Sequence, residues 1–473
     1  MLRIISRTAI LLAVIIGTSA AEADLLNYWT FDGNYEDSGT LDYTPTVNGT
    51  PTFGAAAPIA HSTGSLSLDP TNGIDYLRVG GNNDAISQGY ESTFQGGFGI
   101  SLWVQSDLAP AALAYNMAYA IDFGESHSDG VGIHLNKDHG NFDNGTLGAY
   151  VYERRLNGPD TMDATAWHHI VVTTSNESDN GDRMRMYIDG QKVATHHQTM
   201  GDLNQSHPLT IGRTAKSNDR AWDGQIDDVA IFSGQLNPRQ VQLLASGEAS
   251  PADLATMTSW DFRNDSFTAS ADPSATASAW SNNGRWRYMY AETDGQTGDL
   301  IGTGAPLDFT DMSRYNNHVW DDGNGNPSIR LGDFTVHPDD ARAPVIAWES
   351  NFDGTIEYYY ELIENNNSAD ADPGYQLFHW DESQDEMSLL AQVDVFADDP
   401  STLNDWETLL GTLNVGIGDM LYMAIDGGQD HGNDRTRINA FIRQLPSVPE
   451  PSTFALGMLG ILGLAWTGIR RRR

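Results

Sequence analysis

Any chemistry in this 473-residue chain has to be sought among its acids. There are 64 Asp+Glu against 26 Lys+Arg, a formal charge of −38, and no cysteine. Thiolate catalysis, disulfides and cysteine-type zinc sites are therefore excluded. The charge also argues against a nucleic-acid partner, whose phosphates would be repelled. Hydrolysis at a glycosidic carbon needs two carboxylates converging on one sugar. Asp227 and Asp228 are adjacent, so in an extended strand they point opposite ways. Asp122 and Glu125 are three apart in D-F-G-E and diverge in the same manner. Residues 381–386, D-E-S-Q-D-E, read as a solvated turn. No G-x-S-x-G elbow, phosphate loop or H-E-x-x-H pair is present, so no enzyme activity is expected.

Hard cations take carboxylate and carbonyl oxygens, which Asp/Asn/Gly-rich loops supply. Asp322, Asn324 and Asn326 have the D-x-N-x-N spacing of a calcium loop, but Pro327 stands where a sharp turn asks for glycine and Asp333 where a bidentate Glu is expected. Residues 426–434, D-G-G-Q-D-H-G-N-D, suit a cation, a sugar or a solvated loop. His127, His134 and His139 match no closed zinc spacing, and His196-His197 reads as a surface pair. Sugar recognition needs aromatic faces with side chains that bond hydroxyls. Tyr150, Tyr152 and Arg154 recur at every second position, which places them on one face of an expected strand, and Trp222 precedes another strand. These four are the candidate ligand contacts, whereas Trp29, Trp103 and Trp167 read as core.

The elements that must position such groups are clearest over residues 167–244. W-H-H-I-V-V-T-T is rich in strand formers. In R-M-R-M-Y-I, Met184, Met186 and Ile188 share a face, and Asp189-Gly190 then turns the chain into a returning strand over 191–196. Another strand covers 227–232, after which Asn237 caps a short helix with Pro238 at its first position and Gly247 after its end. Upstream, strands are expected at 25–32, 66–68, 76–79 and 98–104. In the last of these Phe98, Ile100, Leu102 and Val104 face one way and Trp103 the other.

This order of motifs resembles the laminin-G-like, concanavalin A-like lectin/glucanase domain, with W-x-F-D at 29–32, D-S-G at 37–39, F-x-I-S-x-W-V at 98–104, the Trp-His-His strand, Y-x-D-G at 187–190, I-G at 211–212 and G-x-I-D-D-V at 224–229. The resemblance covers about 24–249 and implies a jelly-roll sandwich that binds carbohydrate. It further implies that one of His168 and His169 is packed in the core. It also implies a structural calcium, held by Asp32, the loop from Gly80 to Asn82, and Asp227; alternatively Asp32 and Asp227 end strands and accept backbone N–H bonds. Hydrolases of this superfamily carry E-x-D-x-x-E on one strand, and this chain has no such motif.

Residues 250–256 read as a linker. Residues 257–445 are expected to form a second β-sandwich, with strands at 286–290, 334–337, 345–348, 355–360, 376–380 and 420–425 and turns at Asp353-Gly354 and Gly418-Asp419. This region loosely resembles accessory sandwiches of secreted envelope proteins through His337-Pro338, Trp348-Glu349-Ser350 and the Gly418-Asp419 turn. The expected fold is thus all-β, an N-terminal concanavalin A-like sandwich followed by a second sandwich and a C-terminal transmembrane sorting tail.

Both ends read as targeting segments. Residues 1–23 have Arg3 and Arg7 before a short apolar stretch and an A-x-A site at 21–23, which predicts a mature start at Asp24. At the other end Val448, Pro449, Glu450, Pro451 and Ser452 precede an apolar run over 453–469 and four arginines. The run is just long enough to span a bilayer, with the arginines on the cytoplasmic side. The three-part order resembles the PEP-CTERM sorting signal, which implies processing by an exosortase and a protein on the cell envelope or outside the cell. Its expected partner is an extracellular polysaccharide or glycan; the rival expectation is a structural or adhesive surface protein with no defined ligand.

Overall fold

The computed structural model describes residues 23–446 apart from the stretches 125–129, 138–146, 176–182, 198–206, 266–284, 293–308, 322–326, 331–334, 365–373, 394–405 and 426–435 and some shorter ones. Residues 1–22 of the leader expected over 1–23, the sorting tail over 447–473, His127, His139, Asp322, Asn324, Asn326, Asp333 and the 426–434 run lie outside the described residues. Among the described residues, no helix is long and apolar enough to cross a membrane.

Two antiparallel sheets form the first unit. One runs in the order Gln191–His196, Met184–Ile188, His168–Ser175, Gly97–Ser106, Gly224–Ser233, Ser65–Leu68 and Thr52–Gly54, with Leu25–Trp29 also pairing Gly224–Ser233. The facing sheet runs Arg154–Asn157, Leu147–Val151, Val131–Asn136, Met117–Phe123, Leu209–Ile211, Tyr76–Val79 and Thr46–Asn48. Strand alternation explains the core between them. Phe98, Ile100, Leu102 and Val104 pack inwards with Met184, Met186 and Ile188 against Ile121, Ile133 and Ile211, while Trp103 lies outside with Ala57, Ile59 and Trp167. The turn at Asp189 (φ 51°) and Gly190 (φ 80°) is left-handed at both residues, as a two-residue hairpin requires.

A helix over Ala85–Gln95 is an addition to the expected elements. Asp84 caps it by accepting from Ser87 N, and Tyr90 and Phe94 enter the core beside Phe98 and Phe123. The second helix, Pro238–Ser246, has Asn237 and Gln240 in a capping box and Gly247 in the left-handed region after it. The segment expected as a linker is itself partly helical: Ser250 and Asp253 cap Pro251–Thr256 reciprocally. Its S-P-A-D sequence is a helix start, and its proline suits a first helical position as well as a loop.

The second unit is also a sandwich. One sheet is built on Thr436–Gln444, Gly354–Glu364 and Trp406–Val415, and the other on Trp286–Glu292, Arg342–Glu349, Met420–Ile425, Tyr375–Asp381 and Glu386–Val393. Trp286, Trp348, Ile356, Tyr360, Leu362 and Ile438 are among the residues packed between them. The units meet where Glu357 receives two guanidinium groups, Arg239 of the second helix and Arg443 of the last strand, through four contacts of 2.8–2.9 Å.

Candidate functional site

The four residues expected around a cation do not converge. Asp32 Oδ1 accepts from Thr63 N at 2.7 Å and Gly64 N at 2.8 Å. Asp227 Oδ2 accepts from Ala57 N at 2.9 Å and Ser62 Oγ at 2.6 Å, and its Oδ1 from Asp228 N at 2.9 Å. Both acids therefore pin the 57–64 loop to the sheet. Gly80 and Asn82 sit at the end of Tyr76–Val79 in the facing sheet, where the Gly80 carbonyl and Asn82 Oδ1 both accept from the Arg78 guanidinium at 3.1 Å. A calcium cage needs oxygens free of such donors. Asp32 Oδ1, both Asp227 oxygens, the Gly80 carbonyl and Asn82 Oδ1 are engaged in this way and do not fit one, and among the described residues no group of three His, Asp or Glu is arranged for a metal.

Asp228 does not face away from Asp227. Its φ of 46° and a bulge between Asp227 and Ala230 break the alternation, so both carboxylates are buried against the same loop. Asp228 Oδ1 accepts from Tyr28 OH at 2.6 Å, and its Oδ2 lies 3.1 Å from His61 Nε2. Burial and the neighbouring Asp228 push the Asp227 carboxyl up to about 7. The hydrogen bond that His61 donates to Asp228 raises its ring. The His61 ring thus faces this acidic pair.

The four expected sugar contacts are also dispersed. Tyr152 has φ 46° and turns the chain, so Arg154 returns on the neighbouring strand opposite Val151 instead of sharing a face with Tyr150. Tyr150 is 1% exposed, with its hydroxyl on Asp122 Oδ1. Trp222 is also 1% exposed; its indole N–H donates to Gln105 O at 3.2 Å, inside the core. Neither ring has a face open to a pyranose. His169 is buried with Nε2 on Ser101 Oγ at 2.9 Å, as a core histidine, and His196 and His197 stack with ring centres 5.4 Å apart.

What the tertiary structure assembles instead is a cleft of about 320 Å³ in the first unit. Its wall runs from the end of Gly97–Ser106 through a short 3-10 turn, Pro110–Ala112, to the start of Met117–Phe123, and its far side is the 220–223 segment. Backbone bonds hold the sides together, with Asp107 N donating to Asp223 O at 2.9 Å and Tyr119 N to Arg220 O at 3.0 Å. Lys137 Nζ fixes the loop by donating to Leu113 O at 2.6 Å. Leu113 and Met117 are buried in the wall, Tyr115 is 51% exposed, and Thr71, Arg220 and Asp223 supply polar groups. Burial raises the Asp223 carboxyl, and Asp107 and Asp69 raise it further.

Behind this cleft the outward face of the seven-stranded sheet carries a sealed polar cluster. Asp122 Oδ2 accepts from Thr214 Oγ1 at 2.8 Å and Asp122 Oδ1 from Tyr150. His134 Nδ1 lies 2.8 Å from Gly148 O, and burial, then Arg220 and Arg155, push its ring down to about 3. Burial and Asp122 hold the Tyr119 hydroxyl protonated, and Arg220 hydrogen-bonds it. This cluster fixes side chains beneath the cleft floor. Tyr115, Arg220 and Asp223 escaped the sequence reading. The available signal was an aromatic in the apolar, proline-containing loop D-L-A-P-A-A-L-A-Y-N between two strong strands.

Comparison with known proteins gives distant structural likenesses and two family matches. No curated protein sequence matches the chain. Domain 4 of AbnA, an extracellular arabinanase of Geobacillus stearothermophilus solved with arabinotriose, is similar at 19% identity, covering 48% of this chain and all of that one, with a TM-score of 0.34. A Trypanosoma rangeli sialidase shares 14% identity over 48% of this chain and 33% of its own, at 0.33. The binding domain of botulinum neurotoxin serotype D shares 13% over 69% and 85%, at 0.35. Likenesses this distant bring no ligand to this chain. The family matches are direct: residues 80–242 match the model of the concanavalin A-like lectin/glucanases superfamily, and residues 447–473 match the PEP-CTERM protein-sorting motif, the mark of an exported, exosortase-processed protein.

Proposed function

We propose that this exported protein works at the cell envelope or in the extracellular matrix by binding polysaccharide, without cleaving it, in the cleft beside Tyr115. The observation that carries this reading is the half-exposed Tyr115 ring at the mouth of a cleft that also presents Thr71, Arg220 and Asp223. A pyranose offers an apolar C–H face and a rim of hydroxyls, and such a site answers both, the ring by stacking and the polar groups by hydrogen bonds. Its volume suits one or two sugar units, so affinity for a polymer would come from repeated weak engagement.

The test is binding of the mature chain to a panel of polysaccharides, with Tyr115→Ala as the variant. Loss of the ring is expected to weaken binding about tenfold. A folded chain that binds no polysaccharide would leave the structural or adhesive reading in its place, and release of reducing sugar would make the protein a hydrolase.

A further inference from the structure

The cleft beside Tyr115 has one cation and one acid among its described lining residues, and two further acids stand close to that acid. Arg220 is the one cationic residue among its described lining residues, and its guanidinium hydrogen-bonds the Tyr119 hydroxyl on the outward sheet face. Asp223 lies on the same 220–223 segment, half-buried. Asp107 is tied to it through the backbone, and Asp69, whose Oδ1 accepts from Thr71 N at 2.8 Å, shapes the adjoining turn. Both lie close enough to act on the Asp223 carboxyl. A uronate would meet like charge at Asp223, and again in the field of a chain carrying −38.

Resting on the carbohydrate-binding reading above, we propose that the cleft selects a polysaccharide with free amino groups, its ring against Tyr115 and its ammonium on Asp223. An ammonium brings three N–H donors to a carboxylate that has lost part of its hydration, and a charge-assisted bond in such a place is about twice as strong as a neutral one. The acetamido form of the same sugar keeps the ring and loses the charge, so it isolates the effect of Asp223.

The experiment titrates the mature chain with a glucosamine oligosaccharide, its N-acetylated counterpart and an oligogalacturonate, at mildly acidic pH. The amino form is expected to bind about tenfold more tightly than the acetylated form. Asp223→Asn should remove that ratio, whereas Asp381→Asn, a partly exposed acid of the second unit, should leave intact both the ratio and the affinity for the acetylated form. Equal or tighter binding of the acetylated form or the uronate, or an unaltered ratio in Asp223→Asn, overturns the charge selection and leaves carbohydrate binding standing. If Tyr115→Ala binds the amino form as tightly as the parent, attraction to the acidic surface explains the result and the proposal falls. A folded chain that binds none of the three overturns it together with the reading it rests on.

Discussion

His134 and His169 are sealed from water, and burial pushes both rings down to about 3. An unfolded chain holds its histidines near 6.5. Below that pH the unfolded state takes up two protons that the native state refuses, so stability falls as pH drops from about 6.5 towards 3. The slope is about 1 kcal/mol per pH unit for each ring. His169→Gln, whose amide can still reach Ser101, should remove one ring's share. Denaturant melts at neutral and mildly acidic pH would show it, and an unchanged acid slope would count against the neutral, buried ring. At the acidic pair, His61 is the group set against Asp228 Oδ2. His61→Ala should cost about 1–3 kcal/mol by leaving a buried carboxylate oxygen without that partner. In the parent chain EDTA should leave Tm unchanged, because Asp32 Oδ1 and both Asp227 carboxylate oxygens already accept from N–H and O–H donors. A chelator-induced fall in Tm would show that a cation holds the fold after all.

Two neighbouring backbone features shape the Gly224–Ser233 strand. Gly224 has φ 137°, and a Cβ there would overlap Gln105 O across the ladder. The strand begins where the 105–107 backbone crosses it, which is also where Asp107 N reaches Asp223 O to close the cleft. Gly224→Ala should therefore cost about 2–4 kcal/mol, through backbone strain and a parted ladder. The same variant should weaken glycan binding under conditions where it remains folded. Retention of parental stability would mean that the strand pair yields more easily than its geometry indicates. Three residues on, the bulge at Asp227-Asp228 turns both acids to one loop. One strand thus supplies an edge of the cleft and the anchor of the 57–64 loop.

For the molecule as a whole, Glu357 is the joint. Burial would raise its carboxyl, but hydrogen bonds from Arg239 and Arg443 outweigh burial and hold it below its ordinary value. Arg239 comes from a helix of the first unit, while Glu357 and Arg443 come from strands of the second, and Glu248 joins from the connecting segment at 2.5 Å from Arg443. Glu357→Ala leaves two half-desolvated guanidinium groups facing one another, which should cost about 3–5 kcal/mol. It should also split thermal unfolding into two transitions, read by calorimetry. A single transition shifted by less than about 1 kcal/mol would show that apolar packing, not this cluster, joins the units.

The family, the strand framework and the export route were legible in the sequence because each rests on local pattern. Alternation marks a strand, Asp189-Gly190 and Asn237-Pro238 mark a turn and a helix start, and Pro449-Glu450-Pro451 followed by an apolar run marks a tail. Some local signals went unread, such as Asp84 before Ile86, Tyr90 and Phe94 at helical spacing, and the alternating residues of Thr436–Gln444. Side-chain placement is a different matter. The every-second-residue rule put Tyr150, Tyr152 and Arg154 on one face and set Asp228 opposite Asp227, and single left-handed residues at 152 and 228 undo both. Such residues are local events, yet neither carries a glycine to announce itself. The cleft was beyond the sequence altogether. Tyr115 is distant in the chain from Arg220 and Asp223, and only closure of the two sheets brings them to one rim.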